Sequence, residues 1–191
     1  MKGGKISSTD LHALLKAGYD DSDVSGYILD KDISTSKNKV FYNPTTHKTV
    51  IVHRGTKGWE DWYNNIIYAV GGIESYKNTE RFKEAEKVQR EAEEKYGVNS
   101  ISTIGHSQGG LQAEILGYPT YETITYNKPN IHDQKIINPY QYDIRTEYDP
   151  VSYIGRDPDY VIPSKSYNPL YEHSLNPLTD IDTDYGRNEL K

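Results

Sequence analysis

The stretch Ile101-Ser102-Thr103-Ile104-Gly105-His106-Ser107-Gln108-Gly109-Gly110 decides how the rest of the chain reads. It opens as a β-branched run, which predicts a short buried strand, and closes in a serine bracketed by glycines. Leu111 to Leu116 follows as a helix-compatible segment that Gly117 ends. Strand, Gly-x-Ser-x-Gly, helix is the setting in which this pattern forms a nucleophile elbow. There the serine sits on a tight, strained turn, and the flanking glycines let neighbouring backbone crowd in. Its hydroxyl projects from the carboxyl end of the strand, while the helix N-terminus offers backbone N–H groups to a developing oxyanion. The same residues also fit a plainer use, a glycine-rich turn whose serine caps the helix.

Outward from this stretch, strands and helices alternate. Ser7-Ser8-Thr9-Asp10 before Leu11, Leu14 and Leu15 predicts a capped amphipathic helix ending near Gly18. Residues 20–39 read as loop with one short strand around Tyr27-Ile28-Leu29. Lys39 to Tyr42, the turn Asn43-Pro44 and Thr49 to His53 form a candidate hairpin. Its second strand is an apolar run suited to a sheet covered on both faces. The spacing of Trp59, Trp62, Tyr63, Ile66, Ile67 and Val70 predicts a helix stopped by Gly71-Gly72. Thr79 to Tyr96 predicts a long charged helix with a sparse inner stripe and Gly97 as its cap. Strands are expected over Glu122 to Tyr126, Tyr142 to Tyr148 and Tyr160 to Pro163. The order implies a mostly parallel central sheet with helices on both faces.

With 191 residues, the chain is long enough for one domain with a real core. Its aromatics are 18 tyrosines against 2 phenylalanines and 2 tryptophans, so packing comes with many polar tips. A net charge of −6 argues against a nucleic-acid partner and against an anionic membrane surface. The absence of cysteine excludes disulfides, thiolate metal sites and a cysteine nucleophile, and leaves the compartment open. Met1 to Lys5 leads into no apolar signal core, and the longest apolar run, Ile66 to Ile73, is too short to span a bilayer. A soluble protein with no signal peptide and no transmembrane segment is expected.

A serine hydroxyl needs a histidine to take its proton and a carboxylate to hold that histidine. On an α/β sheet these partners follow in the order Ser, Asp, His. Asp149 follows a predicted strand directly and Pro150 stops it; Asp143, Asp157 and Asp159 are less well placed. Asp-Pro is also a common turn former. Of the six histidines, His173 alone comes after Asp149. For an oxyanion hole, Gln108 would give one backbone N–H. The loop Val52-His53-Arg54-Gly55-Thr56 would give a second, from Thr56, with Gly55 permitting close approach. The chain has no His-Glu-x-x-His zinc spacing and no phosphate-binding glycine loop in a Rossmann setting, so no metal or organic cofactor is expected.

His53-Arg54-Gly55-Thr56, Asp61-Trp62 with Asn64-Asn65, Gly105 to Gly110, Asp149-Pro150-Val151 and His173-Ser174-Leu175, in this order, resemble the class 3 lipases, the fungal-lipase-like α/β-hydrolases. The resemblance covers roughly residues 40 to 176. It implies Ser107 as nucleophile, Asp149 and His173 as the other triad members, and Thr56 and Gln108 as oxyanion donors. It also maps a lid to about residues 58–72. There Trp59 and Trp62 are a possible lipid-facing or substrate-contacting surface, or else an aromatic stripe packed on the sheet. The chain departs from the family in its short length, which leaves no room for a cap domain. His53 stands where family members usually carry a bulky apolar residue, and a secretory signal and disulfides are missing. Compact versions of the fold without a signal are known in large DNA viruses and their satellites. The composition would suit such an origin without showing it.

The expectation is a single α/β-hydrolase domain over residues 40–177, with an N-terminal helix-and-loop extension, 1–39, and an acidic flexible tail, 178–191. Its function would be hydrolysis of carboxylic esters, with an acyl chain that the resemblance makes lipid-derived. Its partners would be a small-molecule or lipid ester and a transient lipid interface. Its location would be cytoplasmic, or particle-associated if the origin is viral. A catalytically inactive binding module remains an alternative, as does an amidase, thioesterase or acyltransferase.

Overall fold

A computed structural model describes residues 6–57, 72–130, 138–153 and 157–181. Seven strands form one mixed, mostly parallel sheet in chain order: β1 (Ile28–Leu29), β2 (Asn38–Asn43), β3 (Lys48–His53), β4 (Ile101–His106), β5 (Glu122–Tyr126), β6 (Gln141–Thr146) and β7 (Tyr160–Ile162). The first three pair antiparallel, as the hairpin signal predicts, and β3 through β7 run parallel. Parallel neighbours need long crossovers, and helices supply two of these among the described residues.

Alternation along the strands divides the core between two faces. Val50 and Val52 of β3 and Ile104 of β4 pack with Leu11, Leu14 and Leu15 of helix α1 (Ser8–Asp20). Ile51 and Ile101, one residue out of phase, pack with Val88 and Ala92 of helix α3 (Glu80–Tyr96). Helix α2 (Gly72–Lys77) and helix α4 (Gln108–Leu116) complete that second face through Tyr76, Leu111 and Leu116. The sheet is thus covered on both sides, which is why β3 and β4 read as unbroken apolar runs. Each of the three buried α1 leucines contributes about 1.5–3 kcal/mol of hydrophobic burial, so this helix is part of the core.

The caps follow the sequence signals. Ser7 accepts from the Asp10 N–H at 3.1 Å, and Thr79 from the Phe82 N–H at 3.2 Å. Gly97 ends α3 at φ 80°, a conformation open to glycine. One detail differs from the expectation. β6 ends at Thr146, two residues short of the predicted boundary, because the chain turns there toward Asp149. The predicted helix from Trp59 to Val70 lies outside the described residues, and Gly72, the second glycine of its expected stop, opens α2.

A further short helix, α5 (Pro169–His173), forms where no element is predicted. Asn168 caps it, accepting from the Leu170 N–H at 3.0 Å, and Pro169 supplies a fixed φ at the first helical position. The register lines up the carboxyl ends of β3, β4 and β5: His53 lies opposite Gly105, and His106 opposite Tyr126. The loops that leave those ends are therefore neighbours. Among the described residues no helix is long and apolar enough to cross a membrane.

Candidate active site

Ser107 sits between β4 and α4 at φ 56°, ψ −129°, a conformation a non-glycine residue adopts only when its surroundings enforce it, at a cost of about 1–3 kcal/mol. The enforcement is visible. The Ser107 N–H donates to the Tyr126 carbonyl at 2.9 Å, and its own carbonyl accepts from the Gly110 N–H at 2.8 Å. A Cβ on Gly105 would lie 2.1 Å from the Gly109 oxygen, and one on Gly109 would lie 2.0 Å from the His53 oxygen. Both glycines are therefore required for strand, turn and helix to cross this closely. The two readings of the serine now separate, because its side chain makes no cap hydrogen bond to α4. Its Oγ lies instead 2.9 Å from Nε2 of His173.

His173 is the last residue of α5 and is buried. Its Nδ1 lies 2.6 Å from Oδ1 of Asp149, which is fully buried in the loop after β6. The other carboxylate oxygen accepts from the Ser152 N–H at 2.9 Å and from the Ser152 hydroxyl. A carboxylate can only accept, so Nδ1 carries the imidazole proton and Nε2 is left to accept from the serine hydroxyl. The structure thus brings Ser107, His173 and Asp149 into one chain of contacts. The other aspartates lie elsewhere. Asp143 is inside β6, accepting from Thr125 at 2.6 Å, and Asp159 accepts from the Asp143 N–H at 2.7 Å.

The loop after β3 passes directly over the serine. A Cβ on Gly55 would lie 2.9 Å from that of Ser107 and 2.6 Å from the Tyr19 hydroxyl, so a glycine is needed here for packing. The Thr56 hydroxyl donates to Oε1 of Gln108 at 3.0 Å, joining the two expected oxyanion residues by their side chains. The preceding backbone is pinned from three directions. Arg81 donates to the Arg54 carbonyl at 2.6 Å, Arg54 to the Gly55 carbonyl at 2.9 Å, and the Gly55 N–H to the Tyr19 hydroxyl at 2.8 Å. Trp59 and Trp62 lie outside the described residues.

Comparison with solved structures identifies the architecture. The Rhizomucor miehei lipase in its propeptide complex aligns with TM-score 0.51 at 14% identity, over 77% of this chain and 62% of its own length. This is the α/β-hydrolase fold of the fungal lipases. A triacylglycerol lipase from Penicillium expansum aligns with TM-score 0.48 at 17% identity, over 76% of this chain and 72% of its own. The sequence itself matches no protein-family model and no curated protein. The chain spans under two thirds of the Rhizomucor lipase.

Within this lipase-type fold, several side chains around Ser107 escape sequence reasoning. His106 reads from the sequence as part of the elbow facing away from the serine. Its ring is buried 5.1 Å from that of His173. Its Nε2 lies 2.7 Å from the His173 carbonyl and its Nδ1 lies 2.7 Å from the Tyr19 hydroxyl. Burial, then the nearby His173 charge, pushes its pKa down to about 3. Tyr126 and Asn127, at the end of β5, donate to the Ser174 and Glu172 carbonyls at 3.0 and 2.9 Å. No sequence signal pairs these residues with a segment some 45 positions downstream. The φ of 46° at Asn127, a residue type tolerant of that region, is the one local hint.

Proposed function

We propose that the protein hydrolyses carboxylic esters through an acyl-enzyme on Ser107. The observation that carries this reading is the strained serine whose hydroxyl meets His173 Nε2 while His173 Nδ1 meets buried Asp149. His173 takes the serine proton as Oγ attacks the ester carbonyl carbon. The carbonyl electron pair moves onto oxygen, which the backbone N–H groups of Thr56 and Gln108 would stabilise. When the intermediate collapses, the C–O bond to the alcohol breaks and His173 returns the proton to the departing oxygen. A water then repeats the sequence on the acyl-enzyme, releasing the carboxylic acid and restoring Ser107. Asp149 fixes the imidazole tautomer and stabilises the imidazolium between these transfers.

The ester class rests on the site chemistry, and a lipid-derived acyl group on likeness to the Rhizomucor miehei lipase. The resemblance assigns a lid to about residues 58–72, all of which but Gly72 lie outside the described residues. The test is hydrolysis of p-nitrophenyl esters from acetyl to palmitoyl, with Ser107→Ala in parallel. Activity that the substitution abolishes is expected, and the chain-length profile separates esterase from lipase. Equal rates with and without Ser107 would overturn the proposal. Turnover of amides or thioesters in preference to every oxygen ester would redirect it to another acyl transfer.

A further inference from the structure

The proposed chemistry uses His173, Asp149 and Ser107, and it leaves a second buried imidazole, His106, unexplained. In a neutral ring its hydrogen bonds admit one assignment. The His173 carbonyl can only accept, so Nε2 of His106 carries a proton and donates to it at 2.7 Å. With that tautomer Nδ1 must accept, so the Tyr19 hydroxyl donates to it at 2.7 Å. The same hydroxyl oxygen accepts the Gly55 N–H at 2.8 Å. The result is an unbroken, one-directional chain from the loop carrying Thr56, through a tyrosine of α1, through the residue preceding the nucleophile, to the backbone of the base.

Both middle members are held in the protonation state the chain requires. Burial pushes the Tyr19 phenol up to about 12, and burial with the adjacent His173 pushes His106 down to about 3. A neutral His106 matters for a second reason. Its ring centre lies 5.1 Å from that of His173, so a charge there would oppose the imidazolium that forms on His173 during turnover. The ring is also wedged, stacked against Tyr126 at 5.4 Å and edge-on to Tyr19 at 5.7 Å. Tyr126 in turn receives the Ser107 N–H on its carbonyl and donates its own hydroxyl to the Ser174 carbonyl.

Resting on the ester-hydrolase reading above, we propose that Tyr19 and His106 are positioning residues of this site. Their neutral hydrogen-bonded chain fixes the His173 ring and the Thr56 loop relative to each other, so that base and oxyanion donors meet the same reacting carbonyl. They touch no substrate; they act through His173 and Gly55. Residue Tyr19 thereby makes α1 part of the active-site apparatus, although the helix lies outside the region of sequence resemblance.

The test compares wild type with Tyr19→Phe, His106→Ala, His106→Gln and the Tyr19→Phe/His106→Ala double variant on p-nitrophenyl butyrate. In parallel, proton NMR follows the deshielded His173 Nδ1–H shared with Asp149, a signal that reads the position of the base whether or not ester is turned over. Tyr19→Phe and His106→Ala are expected to lower kcat by about tenfold with KM within about twofold. The double variant is expected to fall no further than His106→Ala, because both break one chain. His106→Gln, whose amide N–H can reach the His173 carbonyl, is expected to restore most of kcat and the NMR signal that His106→Ala broadens. Wild-type kcat and an unaltered signal in Tyr19→Phe and His106→Ala would overturn the proposal. So would additive losses, or losses that His106→Gln leaves unrepaired. If wild type hydrolyses no ester, the ester-hydrolase reading fails. The NMR signal then still decides whether the chain holds His173.

Discussion

The elbow around Ser107 and the segment around His173 occupy the same site and are built in opposite ways. The elbow is held by its own sequence. Gly105 and Gly109 let β4, the turn and α4 collapse onto the His53 carbonyl, and no other side chain fits at either position. The His173 segment has weaker local support: α5 is five residues long, capped by Asn168 and tied through Glu172 to Ser164 and Ser166. Its three successive carbonyls, of Glu172, His173 and Ser174, are instead gripped by Asn127, His106 and Tyr126 from the ends of β5 and β4. Ser107 is thus fixed by backbone sterics and His173 by borrowed donors. The first arrangement fails all at once when disturbed, and the second fails by degrees.

That contrast can be broken most sharply on the steric side. Gly109→Ala puts a methyl group 2.0 Å from a backbone oxygen that cannot rotate away, so it is expected to destabilise the fold by more than about 4 kcal/mol. Urea unfolding, or loss of soluble protein, reads this. On the donor side a smaller and separable effect is expected. Asn127→Ala strands the buried Glu172 carbonyl and the Thr146 N–H, each of which now has an Asn127 partner at 2.9 or 2.8 Å. The expected cost is about 2–4 kcal/mol, with kcat falling in the surviving folded protein while KM holds. Equal losses of stability for Gly109→Ala and Asn127→Ala would erase the distinction.

The third expectation is a pH effect spread over both regions. Burial holds His53 down to about 4 and His106 down to about 3, whereas each returns to about 6.5 when the chain unfolds. Below about 6.5 the unfolded chain therefore binds protons that the folded one refuses, and stability falls with pH. Each histidine contributes about 1.4 kcal/mol of loss per pH unit until its folded pKa is reached. Between about pH 6.5 and 5, above the usual carboxylate range, a falling urea midpoint is expected. A midpoint that stays level across that window would contradict the assignment of two neutral buried histidines.

Legibility followed the same division. The strand-turn-helix at Ser107, the hairpin from Lys39 to His53 and the caps at Ser7 and Gly97 are local, so residue types and spacing predict them. The positions of Asp149 and His173 could be proposed from chain order, because a parallel sheet places successive loops at one edge. What holds them there could not. Asn127 to Glu172 and His106 to His173 join residues 45 and 67 positions apart, and no periodicity encodes such a pair. Tyr19 is the clearest case. It closes an amphipathic helix whose leucines already explain its presence, and only the sheet register brings its hydroxyl between Gly55 and His106. The helix at Pro169 escaped for a related reason: one capped turn is too short to show a pattern.

The central claim is that Ser107 is an activated nucleophile, and covalent trapping tests it most directly. The protein treated with a fluorophosphonate is digested and its peptides are weighed. The account predicts a single phosphonyl adduct on the peptide containing Ser107, absent from Ser107→Ala. An unmodified wild-type chain, or an adduct that persists in Ser107→Ala, would contradict it.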